Sequence, residues 1–246
     1  MRPSSSAAHV LTRAVLPAIG VAGIRHAAPA LTARGPVRRA MPRLSGRGRP
    51  GGVGLTFDDG PDPLGTPAVL AVLAELGWTA TFFLLGSQVR RFPLVARAVV
   101  DAGHEIGLHG DDHRNHLTRS GSWVRRDLTR ARTEVEGATG RSPRWFRPPY
   151  GVLSSGSLRA AAALDLTPVL WTTWGRDWES IPATRVLDHL VSGLADGGTV
   201  LLHDSDCTST PGSWRGTVAA LPLLAAELER RGLAVRPLRD HLTRRG

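Results

Sequence analysis

From Val53 onward, short apolar or β-branched runs alternate with longer stretches rich in Ala, Leu and Arg. The short runs are typical of buried strands, and the longer stretches have the length and composition of helices. The predicted strands are Val53–Phe57, Ala80–Leu84, Glu105–His109, Arg144–Arg147, Pro168–Trp171, Thr199–His203 and Leu233–Val235. The predicted helices lie near residues 67–76, 90–102, 122–137, 157–164, 184–195 and 215–231.

The order of these elements indicates the fold class. Strands that are repeatedly followed by helices favour a parallel α/β arrangement with helical crossovers. Seven such strands favour a barrel, which could be incomplete. The alternative is an open parallel sheet.

Polar residues stand where several of the predicted strands end. Asp58 and Asp59 follow the first strand, and His109, Arg147 and His203 close three later ones. In a barrel of parallel strands, the carboxyl ends of the strands meet at the mouth that carries the active site. These five residues are therefore expected to converge.

His109 and His113 have the spacing of metal ligands. On a helical turn, residues four apart face the same side, and two histidines with one carboxylate form a common three-ligand zinc set. An isolated pair of this kind is more often two solvated loop histidines, but the nearby aspartates favour the metal site. One aspartate would bind the cation, and the other would stay free as a general base. The cation would let both carboxylates remain ionised; a helix N-cap explains only one of them.

Charge separates the chain into two parts. Residues 1–52 contain nine Arg and no acidic residue, whereas residues 53–246 contain 22 Arg and 21 acids. All 31 basic residues are Arg, which indicates a compositional bias more than nucleic-acid binding, and we expect no nucleic-acid partner. We predict a basic N-terminal arm over 1–52 and a catalytic domain over 53–246, with residues 43–52 as a Gly- and Arg-rich linker.

The arm contains an apolar run of 11 residues, Ala14–Ile24, between Arg13 and Arg25. A membrane-spanning helix needs about 20 residues, so the run resembles a signal-peptide core, and residues 28–30 resemble its cleavage site. This favours a secreted or cell-envelope protein over a cytoplasmic one, with peripheral contact to the membrane or envelope through the arm. A plain N-terminal extension is the alternative. A single cysteine, Cys207, excludes an intramolecular disulfide.

Five motifs in order resemble those of the polysaccharide deacetylase family, the NodB-homology group of carbohydrate esterases (carbohydrate esterase family 4). They span most of residues 53–246, and the arm lies outside them. The motifs are Thr56 to Gly60 (TFDDG), His109 to His113, Arg147 to Tyr150 (RPPY), Asp177-Trp178 and Leu201 to Asp204 (LLHD).

The resemblance implies a distorted (β/α) barrel and a metal-dependent hydrolase that removes acetyl groups from N-acetylated sugars. It implies roles for ten residues. They are Asp58 as general base, Asp59, His109 and His113 as metal ligands, Arg147 as partner of Asp58, Tyr150 as an oxyanion donor through its backbone N–H, His203 as general acid, Asp177 as partner of His203, and Trp178 and Leu201 as walls of the acetyl pocket.

Three positions depart from the family pattern. Gly110 stands where Ser or Thr is frequent, so a hydroxyl that would brace the metal loop is missing, and Arg114 replaces a frequent proline. Trp174 occupies a position that is often acidic, where an aromatic face would stack on a sugar ring or simply pack. Asp111, Asp112 and His116 are interpreted as solvated loop residues, or else as a brace for the ligands.

The expected substrate is an acetylated glycan that contains N-acetylglucosamine, and the expected cofactor is one divalent ion, zinc first, with cobalt or another ion as alternatives. Two other functions stay open. One is an O-acetyl esterase acting on a polysaccharide such as xylan, and the other is a non-catalytic carbohydrate-binding domain.

Overall fold

The computed structural model describes residues 23–33 and 35–242. Within these residues the chain forms eight strands, and every recorded strand pair is parallel. The strands are β1 Gly52–Asp58, β2 Thr81–Leu84, β3 Glu105–Leu108, β4 Trp145–Phe146, β5 Thr167–Pro168, β6 Thr173–Trp174, β7 Thr199–His203 and β8 Ala234–Arg236.

The strands curl into an incomplete barrel. Their order is β5-β4-β3-β2-β1-β7-β6, and β8 pairs with the first half of β1. No pairing between β5 and β6 is recorded in the described part of the chain, so the barrel stays open between its outer strands. The predicted distorted (β/α) barrel is confirmed. Every residue of β1 is buried, as expected for a strand covered on both faces.

Helices connect the strands and cover the outside of the sheet. The α-helices are α1 Gly35–Ala40, α2 Gly65–Glu75, α3 Gly86–Arg91, α4 Pro93–Asp101, α5 Gly121–Thr139, α6 Ser155–Ala163, α7 Ala183–Gly193, α8 Trp214–Arg230 and α9 Leu238–His241. Short 3-10 helices lie at Ala28–Ala33, His116–Thr118, Pro149–Gly151 and Asp177–Glu179.

Two predictions of elements were wrong in detail. The single helix predicted near residues 90–102 is two helices, because Pro93 forces the preceding Phe92 out of helical geometry and then begins α4. Thr173–Trp174, which belongs to none of the predicted strands, pairs with β7 as the outer strand β6. A strand of two residues has no periodicity of its own, and only its pairing partner defines it.

The segment predicted as a linker contacts the body of the protein. The backbone N–H of Gly48 donates to the carbonyl of Gly197 at 2.8 Å, and that of Leu170 donates to Leu44 at 2.7 Å. Residues 14–22 of the apolar run lie outside the described residues, and Ile24 at its end is exposed. In the described part of the chain, no helix has both the length and the hydropathy needed to cross a bilayer. The division between arm and catalytic domain stays a prediction.

Candidate active site and metal centre

Asp58 and Asp59 both line one cleft at the carboxyl end of the barrel, although neighbouring residues of a strand point to opposite faces. The cause is a turn in the backbone. Asp58 is the last residue of β1, and Asp59 has a φ of 76°, in the left-handed region that aspartate adopts more readily than most residues. This turn brings both carboxylates, each only 2% exposed, to the same side.

Asp59, His109 and His113 form a cluster with the composition of a catalytic metal site. The Nε2 atoms of His109 and His113 lie 3.4 Å and 3.6 Å from Asp59 Oδ1. His109 Nδ1 lies 2.8 Å from the carbonyl oxygen of Arg147, so it donates there and leaves the Nε2 lone pair directed at the cluster. Asp59 Oδ1 is buried and has no hydrogen-bond partner among the described residues.

The protonation states of this cluster fit a cation. Burial opposes ionisation of Asp59, but the charges of His109, His113 and His203 and the hydrogen bond from Thr208 together outweigh it, so the pKa of Asp59 is lowered. Burial lowers the pKa of His113 to about 4, so its imidazole is neutral near pH 7, as a metal ligand must be. A buried carboxylate oxygen without a donor, next to two imidazole nitrogens, has the ligand chemistry of zinc.

The two histidines do not lie on a helical turn, as their spacing predicted. Residues 109–115 form a loop that leaves β3, and Gly110 within it has a φ of 97°. The loop, rather than helical geometry, brings the two rings to a centroid distance of 5.2 Å.

Arg147 forms a buried ion pair with Asp58. Its guanidinium is fully buried and donates from Nη1 to Asp58 Oδ1 at 2.7 Å and to Thr56 Oγ1 at 2.8 Å. Nη2 donates to the carbonyl oxygen of Leu170 at 3.0 Å, and the group lies 4.1 Å from the centroid of the Phe83 ring. Burial lowers the pKa of Arg147, and the charge of Asp58 opposes that effect. The pair fixes the orientation of the carboxylate.

His203 and Asp177 form a second charged pair, with His203 beside Asp58 on the adjacent strand β7. His203 Nδ1 lies 3.0 Å from Asp177 Oδ1, and the other carboxylate oxygen accepts from the His203 backbone N–H at 2.7 Å and from Thr217 Oγ1 at 2.6 Å. Burial favours the neutral imidazole, but the charge and hydrogen bond of Asp177 outweigh it and raise the pKa of His203 to about 9. His203 therefore carries a proton at neutral pH.

The cleft between these groups has a volume of about 360 Å³. Trp171, Leu201 and Trp178 form an apolar wall, and the Trp178 ring meets the His203 ring edge-on at 5.5 Å. Tyr150, with a φ of 60°, stands at the rim with its ring 4.5 Å from that of His113. Trp174 lies on the same rim, is 43% exposed, and stacks on Trp171 at 5.8 Å. All eleven residues predicted for the site thus lie at this end of the barrel, nine of them lining the cleft and Arg147 and Asp177 behind it.

The model of the family described as Polysaccharide deacetylase matches residues 45–169, half of the sequence. The chain belongs to the polysaccharide deacetylase family. It is a hydrolase of the carbohydrate deacetylase type.

Curated relatives and a solved structure agree with this membership. The deacetylase is 36% identical over 191 residues to the chitooligosaccharide deacetylase of Azorhizobium caulinodans, covering 75% of this chain and 91% of the relative. It is 35% identical over 183 residues to a peptidoglycan-N-acetylglucosamine deacetylase of Bacillus cereus, covering 73% and 83%. The structure of the Bc1960 peptidoglycan N-acetylglucosamine deacetylase superposes with a TM-score of 0.75 at 28% identity, covering 81% of this chain and 91% of that chain.

Sequence reasoning about this deacetylase missed several residues that hold the site. Thr208 donates from Oγ1 to Asp59 Oδ2 at 2.5 Å, which leaves Oδ1 as the free oxygen. Asp127 on α5 contacts the loop between the two histidines. No local pattern distinguishes either residue from an ordinary loop or helix residue. The interpretation of Asp111 and His116 as solvated was wrong, because they are 1% and 0% exposed.

Proposed function

We propose that this protein removes N-acetyl groups from oligosaccharides or polysaccharides that contain N-acetylglucosamine, with one divalent cation held by Asp59, His109 and His113. The observation that carries the proposal is the orphaned, buried Oδ1 of Asp59 beside two imidazole nitrogens. We propose zinc as the cation, because a His₂Asp set suits it, although cobalt or another divalent ion would fit the same ligands. When bound, the cation supplies Lewis acidity at the acetyl carbonyl and makes water more acidic.

The residues around the cation divide the remaining chemistry. Asp58 takes a proton from the attacking water, and Arg147 keeps that carboxylate in one orientation. The backbone N–H of Tyr150 donates to the oxygen that gains negative charge. His203, already protonated, gives its proton to the departing sugar amine.

Asp177 keeps the proton on the acid, since its carboxylate lies 3.0 Å from His203 Nδ1. Trp178 and Leu201 enclose the methyl group of the acetyl substituent, because they form the apolar side of the cleft. An amide has a poor leaving group, so an acid as well as a base is needed. The presence of both supports an enzyme over a non-catalytic binding domain.

Trp174 supports a sugar polymer as the substrate. Its exposed ring stands at the rim of the cleft, where a pyranose next to the acetylated sugar would lie against it. The relatives that act on chitooligosaccharide and on peptidoglycan N-acetylglucosamine favour these two substrate classes.

Acetate release from a panel of substrates tests the proposal. Purified protein would be assayed on chitooligosaccharides, peptidoglycan and acetylated xylan, with and without a chelator, and its metal content measured. We expect release from the first two substrates, loss of release with chelator, and recovery on addition of zinc. Release from xylan alone would favour an esterase, and no release from any substrate while metal is bound would favour the non-catalytic domain.

The base is tested by Asp58→Asn, with Asp101→Asn as a control, since Asp101 is a 60% exposed carboxylate on α4. We expect Asp58→Asn to reduce turnover by roughly 10²–10⁴-fold while zinc remains bound. Turnover that survives this change would contradict the assignment. For the location we propose a secreted or envelope protein. N-terminal sequencing of the protein from fractionated cells tests this.

A further inference from the structure

We propose that Asp127, on helix α5, is a positioning residue that sets the geometry of the metal loop, residues 109–113, from outside the site. Asp127 is fully buried and is directed at this loop. Its Oδ2 accepts from the backbone N–H of Asp111 at 3.0 Å, and its Oδ1 accepts from that of Asp112 at 3.4 Å. The inference rests on the proposed metal site. It gives a role to a residue that is not one of the proposed metal ligands.

Gly110 fits this arrangement and explains the departure from the family pattern. A Cβ at residue 110 would lie 3.0 Å from Asp127 Oδ2, closer than an ordinary contact, and its φ of 97° disfavours any other residue. A Ser or Thr at this position would strain the backbone and push the Asp127 carboxylate away by a few tenths of an ångström. The brace that a loop hydroxyl would give is supplied by α5 instead.

The acidic residues around Asp127 are satisfied by the protein itself. Asp111 accepts from Arg90 Nη1 at 2.6 Å and Nη2 at 3.1 Å, and it pairs with Arg130 Nε at 2.6 Å. Asp111, Asp112 and Asp127 lie close enough together for a cation. Since Arg90 and Arg130 neutralise Asp111 and two backbone amides occupy Asp127, we assign the group to fixing the loop.

The residues that follow the metal loop pack near the same carboxylate, without a hydrogen bond to it. His116 is fully buried, with Nδ1 3.2 Å from Ser157 Oγ and Nε2 3.9 Å from Asp127 Oδ2. Its ring stacks on Phe146 at 5.8 Å. Asp127 thus lies between both halves of the segment that carries His113, whereas His109 is fixed independently by the carbonyl of Arg147. Loss of Asp127 should displace His113 first.

The substitution Asp127→Asn tests this role with little change in volume. An amide presents an NH₂ group where the carboxylate accepted one of the two N–H donors, so one contact becomes repulsive. Partners that orient metal ligands typically contribute about 10–100-fold in metal affinity. Glu136→Gln is the matched control, because Glu136 lies on the same helix and binds Arg132 and Ser142 instead of the loop.

Zinc affinity would be measured by chelator competition, and the unfolding midpoint would be measured on the metal-free proteins. We expect Asp127→Asn to weaken zinc binding at least about tenfold relative to Glu136→Gln, with similar midpoints for the two metal-free variants. A zinc affinity equal to that of the control, or a loss seen only as lower metal-free stability, would overturn the proposal.

Amide exchange in the metal-free wild-type protein provides a test that needs no variant. The Asp111 and Asp112 amides should exchange far more slowly than free peptide amides, because Asp127 accepts both. Exchange at the rate of free amides would refute the brace even if zinc binds normally. A wild-type protein that binds no zinc would instead contradict the proposed function, and the exchange rates would still decide the role of Asp127.

Discussion

The substitution Asp177→Asn separates the proton affinity of His203 from the shape of the site. Asp177 Oδ2 already accepts from the His203 backbone N–H and from Thr217 Oγ1, so the carbonyl oxygen of the new amide should stay there. Its NH₂ group would then face His203 Nδ1, 3.0 Å away. An amide NH₂ donates and cannot accept, so it disfavours the protonated imidazole.

The size of the effect follows from the pKa of His203. Asp177, with smaller contributions from Asp59 and Asp58, raises that pKa to about 9 against the opposing effect of burial. With Asp177 replaced and a bound cation offsetting Asp58 and Asp59, the pKa should fall to the ordinary value of about 6.5, a difference of roughly 2.5 units or 3 kcal/mol. At pH 8 the protonated fraction would fall from roughly 90% to roughly 3%, which is about a thirtyfold loss of the acid. At pH 6 the loss should be small.

The assay is the pH dependence of kcat/KM for acetate release, measured for the zinc-loaded wild type, Asp177→Asn and the control Asp188→Asn. Asp188 is an exposed carboxylate on α7 that pairs only with Arg185 among the described residues. We expect the alkaline limb of Asp177→Asn to move toward neutral pH and that of the control to stay. A bound cation offsets the effect of Asp58 and Asp59 on the pKa of His203. Because it does so in all three proteins, the test is the difference between their pH profiles and not the absolute pKa. A uniform loss at every pH, with the limb unmoved, would refute the reasoning.

Three further predictions follow from the site. Arg147→Met should lower the free energy of unfolding by about 3–5 kcal/mol, because Asp58 stays buried without its partner. Urea denaturation measures this change, and a loss below about 1 kcal/mol would contradict the prediction. Trp174→Ala should raise KM for chitooligosaccharides by roughly 3–10-fold with kcat little changed, since stacking contributes about 0.5–1.5 kcal/mol; an equal loss in kcat would place the ring in the chemical step. Burial raises the pKa of Asp204 to about 7, so its folded form binds the proton more tightly than the unfolded chain. That stabilisation is lost as the pH rises from about 4 to about 7. The difference in the free energy of unfolding between Asp204→Asn and metal-free wild type should therefore shift in favour of the variant when the pH is raised from 5 to 8. A difference that does not change with pH would contradict this.

The sequence by itself determined the alternation of strands and helices and the residue types at the strand ends. Buried parallel strands need apolar runs, and their carboxyl ends meet at one mouth, so Asp58, His109 and His203 were expected together before any contact was known. The two-residue strand β5 overlaps its predicted range, Pro168–Trp171, only at Pro168, and β6 was not predicted, because pairing with a distant neighbour defines both strands.

Only the tertiary structure decided how the site is held. The left-handed turn at Asp59, the non-helical path from His109 to His113, and the contacts of Thr208 and Asp127 have no local signal. Side-chain direction depends on backbone dihedral angles, and packing between residues 16 to 149 positions apart sets those angles here. A sequence pattern reports which groups are available, whereas their distances arise only when the chain closes on itself.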